Sequence, residues 1–172
     1  MSVALLVLRV LVGALFAGHG GQKLFGWFKG HGLQATGSFF ESAGLTPGVP
    51  LAFLAGSAEL AGGLLLGFGL FLPVACLLLV AVMATAIAVV HWKNGVWAAD
   101  GGFEFPLVLA TVAFAVTAIG AGRYSLDSLF GIGWASLAWA IGATVVGAVG
   151  ALVAVALARI AHRAHGAQPH TA

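Results

Sequence analysis

The chain has 172 residues, of which seven are Lys or Arg and five are Asp or Glu. Charged residues make up 7% of it and hydrophobic residues 61%, whereas roughly 25% of an ordinary soluble domain is charged. This composition excludes a soluble globular domain, which needs a polar surface, and a disordered chain, which is poor in apolar residues. It predicts an integral membrane protein surrounded by the lipid bilayer.

The first predicted membrane helix spans residues 3–24, which is close to the length of about 20 apolar residues that a bilayer requires. We interpret it as a retained helix and not as a signal peptide. No basic segment precedes it, and Arg9 interrupts its apolar stretch.

An aromatic and glycine-rich segment follows over residues 25–50. Several of its residues fall roughly on one helical face: Leu33, Thr36, Phe39, Phe40 and Ala43. Gly44 and Pro47 provide a stop. The pattern predicts a short helix that lies at the membrane interface or re-enters the bundle.

The apolar stretch over residues 51–90 contains one charge, Glu59, and is twice the length of a membrane span. It must therefore fold back on itself. The break is expected at glycine and proline residues: Gly67, Gly69 and Pro73. The sequence thus predicts helices over 51–69 and 72–92.

Two further apolar helices are predicted over residues 105–121 and 134–158. Strands are excluded, because every backbone polar group inside lipid must be satisfied within the chain and the apolar runs do not alternate. The predicted fold class is an all-α polytopic membrane helix bundle. It has a four-helix domain over residues 1–131, an additional transmembrane helix over 132–160 and a flexible polar tail over 161–172.

The last helix carries two rows of small residues, Gly147 with Ala151, and Gly150 with Ala154 and Ala158. Such rows suit close helix packing or a contact between copies of the chain. The orientation follows from the distribution of Lys and Arg. With five spans in the cell membrane, the more basic side carries the C-terminus, so we expect the C-terminus in the cytoplasm.

Charged residues inside apolar helices are the most informative positions, because they are costly in lipid and usually face a partner or a cavity. One face of the first helix carries Arg9, Gly13, Phe16, Gly20 and Lys23, and one face of the second carries Gly56, Glu59, Gly63 and Gly67. We expect these faces to pack together. Depth along antiparallel helices favours His19 or Lys23 over Arg9 as the partner of Glu59.

His91 and Glu104 flank the loop over residues 91–105, on the same predicted side as His19 and Lys23. The candidate ligand-binding cluster is therefore Arg9, His19, Lys23, Glu59, His91 and Glu104. Its mixture of acid, base and nearby aromatic groups suits an amphipathic ligand such as a quinone. The alternative is structural. The charges then fix helix packing, His91 is an interfacial anchor, and Glu104 is a favourable carboxylate at a helix N-terminus.

Other kinds of site receive little support. The single cysteine, Cys76, excludes an internal disulfide and a multi-cysteine metal centre. The histidines lack paired ligand spacing within the helices, so no metal site is expected. No basic patch indicates nucleic-acid binding, and no cofactor motif is evident.

The sequence resembles the DoxX family of small bacterial membrane proteins. The resemblance rests on the order and spacing of several segments: G-x-x-K-L at 20–24, FFESAGL at 39–45, GSAELAGGLLLGFG at 56–69, HWKNG at 91–95, GGFEFPL at 101–107 and GAGRYSLD at 120–127. Positions matching the family include Arg9, Lys23, Glu59, His91 and Glu104, with Arg123 and Asp127 in a surface loop. The family is usually a four-helix protein, so the fifth helix departs from its pattern.

The resemblance implies a link to membrane redox systems, since related proteins include a subunit of thiosulfate:quinone oxidoreductases and proteins of oxidative-stress defence. We therefore expect an accessory, non-catalytic subunit of a membrane redox assembly that holds a quinone-like head group. Two alternatives stay open. The first is a structural or interaction protein without chemistry of its own, and the second is a small-solute transporter, which the lack of an inverted repeat disfavours.

Overall fold

The protein is described by a computed structural model that covers residues 2–166. Over that range it contains seven α-helices and no strand, which confirms the all-α fold class. The helices are α1 (Ser2–Phe25), α2 (Gly32–Ser42), α3 (Gly48–Phe68), α4 (Leu72–Ala86), α5 (Glu104–Ile119), α6 (Leu126–Leu129) and α7 (Leu137–Gly166).

Four helical segments are long and apolar enough to cross a membrane: Val3–Phe25, Gly48–Phe68, Leu72–Asn94 and Leu137–His165. The chain is thus a multi-pass membrane protein. Helix α5 is apolar but has 16 residues, about 24 Å of helix, which is less than the roughly 30 Å hydrocarbon core. The five predicted spans therefore appear as four long helices and one shorter helix, which packs against α4 and α7.

Helices α1 and α3 pack backbone to backbone through glycine, as the sequence predicted. A Cβ atom on Gly13 would lie 2.5 Å from the carbonyl oxygen of Gly63, and one on Gly20 would lie 2.6 Å from that of Gly56. No side chain fits at either level. This close approach brings the polar residues of the two helices within reach of each other.

The apolar stretch breaks between α3 and α4 where glycine and proline predicted it. Gly69 ends α3 with a left-handed φ of 65°, and a tight turn leads from it to α4, which begins at Leu72. Pro73 lies in the first turn of α4, where its missing N–H costs no hydrogen bond. The two helices pack as neighbours around the main apolar core.

The end of α4 departs from the regular helix that was expected to residue 92. It widens into a π-helical turn over Ile87–His91 and then tightens into a 3₁₀ turn over Trp92–Asn94. Arg159 of α7 donates a hydrogen bond to the carbonyl oxygen of Ala88 within this turn, at 3.3 Å. Single π turns occur often at functional sites, and hydropathy alone does not reveal them.

Helix α7 begins and ends later than the predicted range of 134–158. It begins after Ser136, whose hydroxyl accepts a hydrogen bond from the backbone N–H of Trp139 at 3.1 Å. At the other end, the Thr46 hydroxyl bonds to His162 Nδ1 at 2.9 Å. The first part of the segment predicted as a flexible tail, residues 161–172, belongs to α7, which is helical as far as Gly166. Residues 167–172 lie outside the described range.

The two small-residue rows of α7 have different surroundings. A Cβ atom on Gly147 would lie 2.6 Å from the Leu77 carbonyl oxygen, so this row packs against α4 within the chain. A Cβ atom on Gly150 would meet nothing within 4 Å. The second row therefore has open space beside Gly150 and Ala154, whereas Ala158 at its end is buried against Leu45 and Ala52.

Candidate functional site

A cavity of about 640 Å³ lies between the end of α1, the loop after it, and helices α2, α3 and α4. Polar side chains from all of these segments line it: His19, Gln22, Lys23, Lys29, His31, Thr36, Glu59, Thr85 and His91. Phe39, Phe40 and the valines of α4 form apolar parts of its wall. We call this space the polar cavity.

An ion pair between Lys23 and Glu59 lies at the wall of the polar cavity. Lys23 Nζ donates a hydrogen bond to Glu59 Oε2, so of the two partners that depth favoured, His19 and Lys23, the structure selects Lys23. The Glu59 side chain is 3% exposed, whereas that of Lys23 is 27% exposed. The Glu59 carboxylate is thus buried, whereas the Lys23 ammonium group that covers it is exposed to the cavity.

Glycine explains how these two residues meet. A Cβ atom on Gly56, one turn before Glu59, would lie 3.3 Å from the Lys23 Cβ. The absence of a side chain there lets the last turn of α1 lie directly on α3. The ion pair thus depends on the same close packing that joins the two helices along their length.

Two imidazoles of the polar cavity are oriented through their Nδ1 atoms. His91 Nδ1 lies 2.7 Å from the carbonyl oxygen of Gly101, and His19 Nδ1 lies 3.1 Å from Gln22 Oε1. The Gly101 carbonyl oxygen can only accept a hydrogen bond, so His91 donates through Nδ1. Neither contact uses Nε2, so that atom of each ring can still bond to a ligand.

The loop between α1 and α2 forms the rim of the cavity. Phe28 and Lys29 have φ angles of 50° and 64°, in the left-handed region that is costly for residues with side chains. The loop folds back on α1, where a Cβ atom on Gly30 would lie 2.6 Å from the Gln22 Cα. Such strain often accompanies functional sites, and here it places Lys29 at the cavity.

Helix α2 covers the cavity and packs on the bundle, which favours the re-entrant alternative for this segment. Gly37 packs against the start of α3, since a Cβ atom there would lie 2.6 Å from Val49 Cγ2. Glu41 Oε1 accepts a hydrogen bond from the Gly48 N–H at 3.1 Å and so secures the connection. Phe40, on the predicted apolar face, is buried.

Four of the six predicted cluster residues line the polar cavity, namely His19, Lys23, Glu59 and His91. Glu104 does not. It is the first residue of α5, and its Oε2 accepts a hydrogen bond from the Ala98 N–H at 2.9 Å. This agrees with the alternative of a helix N-terminal carboxylate.

Arg9 occupies a separate polar region near the opposite end of α1. It is completely buried, and its Nη2 donates a hydrogen bond to the Tyr124 carbonyl oxygen. Its Nε and Nη1 have no hydrogen-bond partner among the described residues. Nη1 lies against Gly69, where any side chain would collide with it.

Asp127 belongs to this second region, and the prediction that it lies at the surface is wrong. It is 3% exposed. Its Oδ1 accepts a hydrogen bond from the Phe71 N–H at 3.0 Å, and its own N–H donates to the Gly69 carbonyl oxygen at 3.0 Å. The residue is buried because it ties the later loop to the turn between α3 and α4.

Arg123, the other residue predicted in that loop, is exposed, and its guanidinium lies 5.9 Å from the centre of the Tyr124 ring. It has no part in the polar cavity. Over residues 2–166, no group of three His, Cys, Asp or Glu side chains could hold a metal ion.

Several cavity residues were not among the predicted site residues: Gln22, Lys29, His31, Thr36 and Thr85. Thr36 shares a predicted helix face with Phe39 and Phe40, and this pattern could have identified it as a cavity residue. Lys29 lies in the loop between α1 and α2, whose conformation cannot be derived from hydropathy. Thr85 lies inside an apolar helix, where a single hydroxyl gives little signal.

Comparison with known proteins identifies the family. The family model described as DoxX matches residues 4–92, just over half of the chain, and this range contains every residue that lines the polar cavity. The protein named "Putative oxidoreductase CatD" of Bacillus subtilis (strain 168) is 31% identical over 116 residues, 67% of this chain and 80% of that protein. No solved structure matches the chain. The chain therefore belongs to the DoxX family.

Proposed function

We propose that this protein is an accessory subunit of a membrane redox assembly and that it holds a quinone head group in the polar cavity. One observation supports the proposal above all. The accessible ammonium group of Lys23 and the imidazoles of His19 and His91 line the same cavity, which lies among long apolar helices. At about 640 Å³, the cavity falls within the usual range for small-molecule sites.

The chemistry of the cavity suits both redox states of a quinone. The Lys23 ammonium group can donate a hydrogen bond to a quinone carbonyl oxygen, and it carries no lone pair that would repel that oxygen. The Nε2 atoms of His19 and His91 can accept a hydrogen bond from a quinol hydroxyl. Phe39 and Phe40 supply apolar surface for the ring.

An accessory role follows from what these side chains can do. Lysine, glutamate, threonine and neutral histidine bind ligands and move protons, but they do not carry electrons. The electron transfer is therefore assigned to a partner protein. The word "oxidoreductase" in the name of the Bacillus subtilis relative supports a redox setting.

The proposed location is the cell membrane, with the C-terminus in the cytoplasm. The support is the excess of Lys and Arg on the side of the chain that carries the C-terminus. Separate fusions to residue 172 of a reporter active only in the cytoplasm and of one active only outside it test this orientation, and activity of the second alone would contradict it.

The proposal is tested by titrating the purified protein in mild detergent with a decyl-substituted benzoquinone and following the heat of binding. The wild type is expected to bind. Lys23→Met removes the donor and is expected to weaken binding at least tenfold. Lys93→Gln removes an exposed lysine outside the cavity, and is expected to leave binding unchanged.

A parallel measurement in cells separates the proposal from a structural role. Membranes that contain Glu59→Gln are expected to lose quinone-linked redox activity while the amount of protein stays measurable. No quinone uptake by the wild type, together with normal redox activity of Glu59→Gln membranes, would contradict the proposal. Reduced abundance with normal activity per molecule would favour a structural protein.

A further inference from the structure

A second cavity of about 230 Å³ lies between α3, α4 and α7. No charged residue lines it, and its walls are almost entirely aliphatic: Leu51, Leu54, Ala58, Ala81, Gly150 and Ala154. We call it the apolar groove. Its chemistry differs sharply from that of the polar cavity, which holds two lysines, a glutamate and three histidines.

The two spaces are direct neighbours. Five residues line both of them: Phe40, Leu45, Ala55, Val82 and Thr85. The partition between them is therefore no thicker than one layer of side chains. A molecule that occupies both would have a polar end among charged groups and an apolar end among aliphatic ones.

The outer side of the groove faces the bilayer. Leu54 of α3 is 63% exposed, and Gly150 and Ala154 of α7 are exposed as well. Helix α7 packs on α4 and α5, which leaves Gly150 and Ala154 beside open space. A hydrocarbon chain could thus pass between α3 and α7 without crossing the headgroup region.

We infer that the apolar groove holds the hydrocarbon tail of the ligand whose head group occupies the polar cavity, and that this ligand enters from the bilayer between α3 and α7. The inference rests on the proposed function, because it needs a ligand in the polar cavity. It adds the ligand class, a long-tailed membrane lipid, and the route of entry. It also gives α7 a role, since that helix forms one wall of the route.

The test uses two benzoquinones with the same head group, one without a tail and one with a decyl tail that ends in a photoreactive diazirine. Binding of both is measured on the full chain in mild detergent. After illumination, the labelled residues are identified by peptide mass spectrometry. In the wild type, the tailed probe is expected to label the stretch of α7 around Gly150 and Ala154.

Gly150→Phe is the variant that fills the groove, because Gly150 lines it. The new side chain should not disturb the fold, since a Cβ atom at this position meets no protein atom within 4 Å. It is expected to weaken binding of the tailed probe at least tenfold and to leave binding of the tailless probe within twofold. Gly142→Phe is the matched control, since Gly142 lies on the same helix in equally open space but outside the groove. Ala154→Phe repeats the test at a second groove position.

The outcomes separate the two proposals. If the tailless probe binds but the tailed probe labels no part of α7, or if Gly150→Phe and Ala154→Phe leave tailed binding unchanged, the inference is overturned and the proposed function stands. Labelling of α7 that persists in Lys23→Met would also overturn it, because the groove would then hold lipid independently of the cavity. If neither probe binds the wild type, the proposed function itself fails.

Discussion

The two polar regions at opposite ends of the α1–α3 contact differ in how their cations are surrounded. Lys23 pairs with Glu59 beside a cavity and keeps 27% of its side chain exposed. Arg9 is completely buried and bonds to a backbone carbonyl oxygen of the loop before α6. One helix thus carries a cation in an open site and a cation in a closed one.

The difference lies in what fills the space around each charge. Near Arg9, Gly69 and the Tyr124 carbonyl oxygen lie directly against the guanidinium, and Arg9 lines neither of the cavities on that side of the molecule. Near Lys23, the strained loop and α2 stand away from α4 and leave about 640 Å³. Lys23 thus has room beside it for a ligand, whereas the groups around Arg9 only connect parts of the fold.

The closed region is expected to show the largest effect on stability. Arg9→Met removes the donor to the Tyr124 carbonyl and the positive charge near Asp127. Loss of one partner from a buried charged arrangement costs about 3–5 kcal/mol of unfolding free energy. Unfolding in mixed micelles, followed by circular dichroism, measures this loss.

Arg123→Met serves as the control for that variant, since Arg123 is exposed on the same loop. Its unfolding free energy is expected to stay within about 0.5 kcal/mol of the wild type. Equal stability of the two variants would show that burial of Arg9 is not a source of stability. The molecules of Arg9→Met that remain folded are expected to bind quinone normally.

The open region is expected to lose less stability and more binding. Glu59→Gln removes the negative partner of Lys23, but water in the cavity can solvate the ammonium group. We expect a loss of about 2 kcal/mol of unfolding free energy, the range for a hydrogen bond to a charged group. Quinone affinity, measured by calorimetry, is expected to fall at least tenfold because Lys23 is no longer held in place.

The double variant Lys23→Met with Glu59→Leu sharpens this expectation. It removes both charges, so no unpaired charge is left in the wall of the cavity. Stability is expected to return towards that of the wild type while quinone binding stays lost. Recovery of binding together with stability would assign the ion pair a purely structural role.

The smallest effect is expected at the π turn. Arg159→Met removes the hydrogen bond to the Ala88 carbonyl oxygen, which supports the turn that carries His91. We expect quinone binding to weaken about threefold, with the unfolding free energy within about 0.5 kcal/mol of the wild type. Arg163→Met, one turn further along α7 and exposed, is the control and should leave binding unchanged.

Much of the fold could be predicted because apolar length and glycine position are local properties. Gly69 and Pro73 predicted the break between α3 and α4, because glycine favours a helix end and proline a helix start. The glycine faces of α1 and α3 followed from helical spacing. Depth then narrowed the partner of Glu59 to His19 or Lys23, and the structure was needed to select Lys23. These features depend on few residues and on regular helix geometry.

The rest depended on irregular backbone and on contacts distant in sequence. The π turn over Ile87–His91 has no hydropathy signal, so the backbone conformation that carries His91 could not be derived, although His91 itself was a predicted site residue. The burial of Asp127 arises from hydrogen bonds to the turn between α3 and α4, more than 50 residues earlier.

Helix α1 is synthesised before the groups that pair with its charged residues. Its two cations are matched by groups that appear later, since 36 residues separate Lys23 from Glu59 and 115 separate Arg9 from Tyr124. Each charged group costs roughly 2.5–3.5 kcal/mol at the centre of a membrane helix. Lys23 lies in the last turn of α1 and avoids most of this cost, whereas Arg9 lies well inside the helix. We therefore expect the stable insertion of α1 to depend chiefly on the later arrival of the loop before α6, which supplies the partner of Arg9.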